Sequence, residues 1–460
     1  MMTVMDIHIA YIGGGSQHWA PVMMQDLALS EGLGGRLSLY DIDQRRAERN
    51  ALLGNGIFAH PDARSRFQVE ACPDLATALT GADIVFISIL PGPMTCFAND
   101  IDIPLRHGII QTVADTTGPG GISRCLRTVP LFTAFAQAID RHCPAAWVIN
   151  YTNPMTVATQ ALTAEVPSLK TIGCCHEVFA CRAFIGMMAA AHTGIPIAHR
   201  NEVDVDLVGL NHFTFFPRAR YKGHDVWPAI AAWIAAQADD RGDFWRDRTA
   251  DALAREAKGR YGSCDGLIQL DFWRQFGVFG AAGDRHLVEF VPWYCRSVDR
   301  LRRWGVSVTG SAQRLAGWVP DNVETLPKIP ERLHRSKEEG IDLVASLVGL
   351  GSMVTNVNVP NRGQIPWLPS DHVVETMAVV DRDRVTPLVP GALPLALQTH
   401  VRRIAEVQQL SLEAARSCRR EAAVQAMLAD PLCHLDTEAT VAMLDELLKA
   451  NAAWLPDQWR

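Results

Sequence analysis

The sequence predicts an α/β protein in which an amino-terminal parallel sheet, covered by helices on both faces, precedes a second, α+β unit. Three observations predict it. A buried apolar strand, Asp6 to Ile12, runs directly into Gly13-Gly14-Gly15-Ser16 and then into a segment of helical periodicity from Ala20 to Ser30. Strand patterns recur at Arg36 to Tyr40, Asp83 to Ser88 and Ala146 to Asn150, with helical stretches between them. Past about Ile197 the rhythm changes: short strands such as Val203 to Leu207 alternate with helical runs at Pro228 to Ala238 and Leu397 to Ala429. The expected boundary divides residues 1–196 from residues 197–460.

The bulk composition excludes several classes. A chain of 460 residues, 48% hydrophobic and 20% charged, has ample apolar surface for a large core. Its formal charge of −7 argues against a sequence-independent grip on nucleic acid, which needs clustered Lys and Arg. No run of about 18 apolar residues occurs, so no membrane span is expected. Met1 to Ile12 lacks the basic start and small-residue cleavage site of a secretory signal, which points to the cytoplasm. The 11 cysteines are odd in number and scattered, so neither a disulfide framework nor a structural zinc site is expected.

The first element with chemistry is the glycine turn. Gly13 and Gly15 supply a tight turn and close backbone approach, Ser16 follows, and the next helix points its free N–H groups at the same place. Asp41, at the end of the second strand, stands where an acid takes ribose hydroxyls. Strand, turn, helix, strand and acid in this order predict a Rossmann-type domain binding a nicotinamide dinucleotide. An acid at that place favours NAD over NADP, because it repels a 2′-phosphate. His18 occupies the position of the third small residue of the G-x-G-x-x-G pattern.

Further candidates lie at later strand ends. Gly173-Cys174-Cys175-His176-Glu177-Val178 follows one strand, and Gly209-Leu210-Asn211-His212-Phe213 follows the alternating strand Val203 to Val208. A thiolate from Cys175 and an imidazole from His212 suit a divalent metal with open positions, although unrelated core residues give the same spacing. Asp115-Thr116-Thr117-Gly118-Pro119-Gly120-Gly121-Ile122 is either a backbone surface for nicotinamide or sugar, or a plain turn before a helix at Arg124. Asn150-Tyr151-Thr152-Asn153-Pro154-Met155 reads as a ligand-facing elbow starting a helix at proline, or as a helix capped by Asn153. Asp284-Arg285-His286-Leu287-Val288-Glu289 is either a functional cluster or a buried ion-pair cluster.

Taken in order, these motifs, with Asn358-Val359-Pro360-Asn361-Arg362-Gly363, resemble glycoside hydrolase family 4 over nearly the whole chain. The resemblance implies a lactate/malate dehydrogenase-like architecture, NAD and a divalent metal, usually Mn²⁺, and a homo-oligomer, dimer or tetramer. It also implies hydrolysis through oxidation at sugar carbon 3, loss of the carbon 2 proton, bond cleavage at carbon 1, water addition and re-reduction.

Residue by residue, it places Cys175 and His212 as metal ligands and His176 as the group assisting the leaving oxygen. Gly13, Gly15, Ser16, Asp41 and Asn150 would hold the dinucleotide, and Asn153 the substrate. Asp271 is the first candidate for the base, with Tyr261 or Asp265 in reserve. Cys175-His176, rather than Cys-Asn or Cys-Asp, disfavours a phosphosugar, and the tetrad through Val178 looks most like the α-galacturonidase branch. A small α-uronide is therefore the expected substrate, with Arg285 a candidate clamp for its carboxylate. A neutral-sugar α-galactosidase or α-glucosidase is the nearest rival; a hydroxyacid dehydrogenase and a non-catalytic NAD sensor are the rivals of other classes.

Overall fold

The computed structural model describes residues 4–260, 264–317 and 328–459. The amino-terminal half contains β1 (Met5–Ile12), α1 (Trp19–Ala28), β2 (Leu33–Tyr40), α2 (Gln44–Phe58), β3 (Arg66–Ala71), α3 (Leu75–Leu79) and β4 (Ile84–Ile87). It continues through α4 (Met94–Arg106), α5 (Gly118–His142), β5 (Trp147–Asn150), α6 (Met155–Glu165), β6 (Lys170–Gly173) and α7 (Glu177–Thr193). The strands β1 to β6 form a parallel sheet in the order β3-β2-β1-β4-β5-β6. In this arrangement the strand order reverses between β1 and β4, and ligands bind outside the carboxyl ends there. The turn at Gly13 lies at that point.

Next come β7 (Val203–Val205), β8 (Val208–Leu210), β9 (Phe213–Phe216), β10 (Ala219–Tyr221), β11 (His224–Asp225), α8 (Trp227–Ala236), α9 (Thr249–Ala257), α10 (Leu267–Phe276) and β12 (Phe279–Gly280). Then follow α11 (Asp284–Phe290), α12 (Val298–Arg303), α13 (Ser311–Gly317), α14 (Gly340–Leu347), β13 (Met353–Pro360), β14 (Val373–Asp381) and β15 (Arg384–Pro387). The chain closes with α15 (Leu395–Ser417), α16 (Arg420–Ala429) and α17 (Thr437–Asn451).

One sheet passes through both halves. Antiparallel β13, β14, β8, β9 and β12 continue it beyond β6, and one row of paired residues, Gly173, Asn358, Glu375 and Gly209, crosses the junction. The segments after Gly173 and after Gly209, with Cys175 and His212, are thereby anchored to the same strip of backbone. Apolar residues of α5, α6, α15 and α16 pack in one core with the sheet, while α1, α2 and α14 build a second core with β1 to β3 and β13. Among the described residues, no helix is long and apolar enough to cross a membrane.

Three sequence expectations change. The strand expected from Val203 to Val208 is two strands, with β7 in a separate three-stranded sheet and β8 in the main one. The helical run from Leu397 to Ala429 breaks at Cys418, whose φ of +51° ends α15 before α16 begins. The helix expected at Arg124 begins at Gly118, so Gly118-Pro119-Gly120-Gly121 is its first turn and not a free loop. A Cβ on Gly120 would lie 2.4 Å from the Asp100 carbonyl oxygen, and Asp430 receives the Gly118 N–H at 2.9 Å. These glycines permit close helix packing, and protein already covers the backbone proposed to face a ligand.

A buried ion pair ties the helices behind this turn. Asp100 of α4 and Arg127 of α5 have side chains 0% and 2% exposed and meet in a bidentate pair at 2.5 and 3.1 Å. Ser123 donates to the same carboxylate at 2.8 Å, and Asn451, at the end of α17, does so at 3.4 Å. Removing one partner of such a pair leaves a buried, uncompensated charge. Asp100→Ala is therefore expected to destabilise the chain by about 3–5 kcal/mol in equilibrium urea unfolding; a loss under about 1 kcal/mol would show that the pair does not hold these helices.

Candidate active site

At the carboxyl end of β1 the glycine turn is closed by its own surroundings. Gly13 has φ +93°, and a Cβ there would sit 2.1 Å from the Ser88 carbonyl oxygen at the end of β4. The N–H groups of Gly13 and Gly14 both reach the Tyr40 carbonyl at 2.9 Å, and Gly15 N–H donates to Asp41 Oδ2 at 2.9 Å. Asn50, from α2, donates to the carbonyls of Gly14 and Ser16 at 2.7 and 2.9 Å. Ser16 Oγ accepts from the N–H of Trp19, the first residue of α1, at 3.1 Å. Asp41 thus braces the turn with one oxygen and receives the Asp43 N–H with the other. Gln17 Nε2 is a buried donor without a partner beside this turn, which suits an anionic group such as a pyrophosphate. His18 is exposed, so the missing third glycine costs no packing.

Near the β6 and β8 ends, ligand atoms of Asp115, His212 and His286 all lie within 4.8 Å of one another. His212 occupies the tight turn between β8 and β9 with φ +65°, a left-handed conformation uncommon for a residue with a side chain. Thr116 Oγ1 donates its one proton to Asp115 Oδ1 at 2.7 Å and meets His212 Nδ1 at 2.9 Å. His212 Nδ1 must then carry the proton, which leaves Nε2 with a lone pair for a metal. Burial and the neighbouring His286 push the His212 pKa down to about 3, so the imidazole is neutral at pH 7. Glu177 holds His286 from the other side, with Oε1 at 3.5 Å from Nε2, and also receives the Gly283 N–H at 2.9 Å. Burial raises the Asp115 carboxyl pKa, but attraction to His212 and His286 in their protonated forms and to Arg124, with the Thr116 hydrogen bond, more than offsets this and holds it well below the usual range. Carboxylate and imidazole donors with an orienting outer layer fit a divalent cation such as Mn²⁺.

The sequence-predicted residues divide around this cluster. His212 belongs to it. Cys175 is not among its three members; Asn356 ties its backbone carbonyl at 2.9 Å. Burial, then Glu375 and Glu177, push its thiol pKa well above the ordinary value, a balance that a nearby cation reverses. His176 sits 3.3 Å from Glu338 Oε1 through Nδ1 and stacks on Trp19 at 5.9 Å between ring centroids. The hydrogen bond to Glu338 raises its pKa against the effect of burial. Asn153 does not cap α6; its Nδ2 donates to Asp115 Oδ2 at 3.0 Å, and its Oδ1 is buried without a partner.

Other expected site residues lie elsewhere or are otherwise engaged. Asn150 shapes the elbow: its amide nitrogen donates to the Thr152 carbonyl and Thr159 Oγ1, and its Oδ1 accepts the Thr152 N–H. Asp271 has one oxygen on Tyr294 at 2.5 Å and the other on Arg274 at 2.5 Å, and is not among the three members of the cluster. Asp265 is paired with Arg255 at 2.8 Å. Tyr261 lies outside the described residues. The Asp284 to Glu289 motif resolves into separate roles: Asp284 receives the Gln269 N–H, His286 joins the cluster, and Glu289 receives the N–H groups of Val113 and Ala114.

Asp115, His286 and Glu177 are cluster or supporting residues that sequence reasoning did not assign. All three stood inside motifs already marked, but nothing local joins residues 115, 177 and 286.

Comparison with known proteins identifies the family. Residues 8–190 match the model for family 4 glycosyl hydrolases, and residues 207–433 match the model for the family 4 C-terminal domain. An alpha-galacturonidase of Thermoanaerobacterium saccharolyticum is 36% identical over 99% of this chain and 98% of its own length. The crystal structure of lplD from Bacillus subtilis superposes with a TM-score of 0.84 at 36% identity, over 96% of this chain and 100% of that one. The 6-phospho-beta glucosidase from Thermotoga maritima, solved with manganese, NAD⁺ and glucose-6-phosphate, shares the fold at a TM-score of 0.74 and 21% identity, over 98% and 99% of the two chains. The chain belongs to family 4 of the glycosyl hydrolases.

Proposed function

We propose that this glycosyl hydrolase cleaves small α-uronides of the α-galacturonide type, with NAD and a divalent cation, Mn²⁺ foremost, as catalytic partners. One observation carries the reading: a donor cluster suited to a cation, Asp115, His212 and His286, adjoins the motif of Arg285, a guanidinium with no acidic partner within 4.0 Å among the described residues. The alpha-galacturonidase matched over nearly its full length supports the same substrate class. Family membership argues against the dehydrogenase and sensor alternatives.

The Gly13 to Ser16 turn, with Gln17 and Asp41, would hold the dinucleotide. Asp115, His212 and His286 would hold the cation, with Cys175 as the sulfur ligand implied by family resemblance. Bound there, NAD⁺ supplies reversible oxidation of a sugar carbon, carbon 3 in this reading, and the cation supplies Lewis acidity toward adjacent hydroxyls.

The chain's own groups have narrower tasks. Thr116 and Glu177 fix the two imidazoles. Asn153 Oδ1, buried and unpartnered, is an acceptor for a sugar hydroxyl. His176, oriented by Glu338, offers a proton to the departing oxygen. For the base, Asp271, which Tyr294 and Arg274 orient, is the first candidate, with Asp265, paired with Arg255, and Tyr261 in reserve.

Paired nitrophenyl substrates test the substrate class: the α-galacturonide is expected to be hydrolysed faster than the α-galactoside, and the reverse order would overturn the uronide reading. Excess chelator should abolish activity, and Mn²⁺ with a thiol reductant should restore it, because a site with a cysteine ligand loses metal on oxidation. Full activity in chelator would remove the cation from the reading. Cys175→Ser should lose nearly all activity while NAD binding, followed by fluorescence, persists. Substrate turnover should leave no net NADH at 340 nm, since the cofactor is reduced and then re-oxidised within each cycle; NADH rising in proportion to substrate would mean a dehydrogenase.

A further inference from the structure

Beside the donor cluster, Arg124, Arg285 and Arg314, from three helices, have no acidic partner within 4.0 Å among the described residues. Arg124 of α5 and Arg314 of α13 both lie over the ring of Phe97 on α4, with guanidinium carbons 5.3 and 5.2 Å from its centroid. Arg285 of α11 is joined to Arg314 through one residue, Thr112. The Thr112 hydroxyl donates to the Arg285 carbonyl, while the Thr112 carbonyl accepts from Arg314 Nη2 at 2.5 Å. Ser311, one turn before Arg314, donates to Asp102 at 2.7 Å and so docks α13 on α4.

The donors of this group are under-used. Arg124 Nε donates to the Asn153 carbonyl at 3.0 Å, and Arg314 Nη2 to Thr112; the Nε atoms of Arg285 and Arg314 are buried with no partner. No carboxylate lies within 4.0 Å of any of the three guanidiniums among the described residues. Arg127, one turn beyond Arg124, shows the contrast, being paired with Asp100 through two hydrogen bonds. The nearby acids do not cancel the charge. Asp115 is shared with two imidazoles, and burial pushes the pKa of Glu289 up to about 7, so that carboxyl is only partly ionised at neutral pH. Burial, and then repulsion from Arg285, lower the Arg314 pKa, so these two cations sit close enough to oppose each other. Partly buried cations held together in this way call for an anion, and a planar guanidinium matches a carboxylate through paired N–H donors.

We propose that Arg314, with Arg285 and Arg124, forms the subsite for the substrate's carboxylate, and that Arg314 is a specificity-determining residue for uronides over neutral glycosides. The assignment rests on the uronide reading of the same site and adds to it the residues that select the charge. Arg124 reaches the elbow through the Asn153 carbonyl, and Asn153 in turn donates to Asp115. One hydrogen-bonded chain therefore links the anion subsite to the cation cluster, so a sugar with its carboxylate on the arginines has its ring hydroxyls directed to the cluster.

The test uses full-length enzyme with NAD⁺, Mn²⁺ and reductant, and three nitrophenyl substrates: α-galacturonide, α-galactoside and α-galactoside 6-phosphate. Arg314→Gln is expected to cut the galacturonide-over-galactoside ratio of kcat/KM by about 10- to 100-fold, chiefly through KM, the size of a lost charged hydrogen bond. Free galacturonate should raise the wild-type melting temperature more than galactose does, and the variant should lose that difference. Arg314→Lys, which keeps stem and charge, gives a second reading should the glutamine variant fail to fold; it should retain only part of the preference, because its ammonium lacks the paired donors. A wild type that prefers galacturonide beside variants that keep both preference and protection would overturn the role of Arg314 and leave the uronide reading intact. A wild type that prefers the neutral galactoside would overturn the uronide reading itself. Preference for the 6-phosphate, lost in Arg314→Gln, would make this a phosphate subsite and overturn its assignment to a carboxylate.

Discussion

The carboxylate of Asp115 lies between two imidazoles, a threonine hydroxyl and an asparagine amide, and the site is organised around that contact. A buried anion is costly unless charge and hydrogen bonds surround it. Here those partners come from segments far apart in sequence: His212 from the β8 to β9 turn, His286 from α11, Asn153 from the elbow before α6. Holding Asp115 ionised therefore brings these segments together. Glu177, at the start of α7, extends the arrangement by gripping His286 and the Gly283 N–H, so the chain after β6 joins the same centre. The left-handed backbone at His212 is a local strain that this network sustains.

The amino-terminal half of the fold was legible because its signals are local. A buried strand, three glycines, a helix and an acid follow one another within about 30 residues, the length of one β-α-β unit. Even there, the geometry changes the meaning of particular residues. The glycine N–H groups go to Tyr40 and Asp41, not outward, so the turn is a rigid frame, and Gln17, two residues before α1, is left as the available donor. Asn50, which fixes the turn from α2, carries no sequence signature because it is one polar residue on a helix.

The rest of the site was only partly legible, for a physical reason: its groups are joined through space by charge. His212 was recognisable as a residue at a strand end, whereas Asp115 and His286 gain their significance from each other. The glycines at 118 to 121 resembled a ligand-facing loop, but glycine serves close helix packing equally well, and Asp100 and Asp430 show which demand applies. Asn150 faced a similar ambiguity: an amide at a strand end either binds a ligand or shapes the turn, and its bonds to Thr152 and Thr159 show the second demand at work. Asp271 looked like a base by position, yet Tyr294 and Arg274 occupy its oxygens.

The distribution of charge gives the site a direction. Acidic groups, Asp115, Glu177 and Glu375, gather near Cys175 and the imidazoles, while Arg124, Arg285 and Arg314 gather on the side of α4 and α13. Proximity of the two groups lowers the cost of burying each, as the effect of Arg124 on Asp115 shows. Arginine next to a metal-binding acid would ordinarily pair with it and close the site. Here Asn153 stands between Arg124 and Asp115, taking the guanidinium on its backbone carbonyl and giving its amide to the carboxylate. That spacer keeps the cationic and anionic halves separate, so that in the proposed uronide reading each would engage a different end of the sugar.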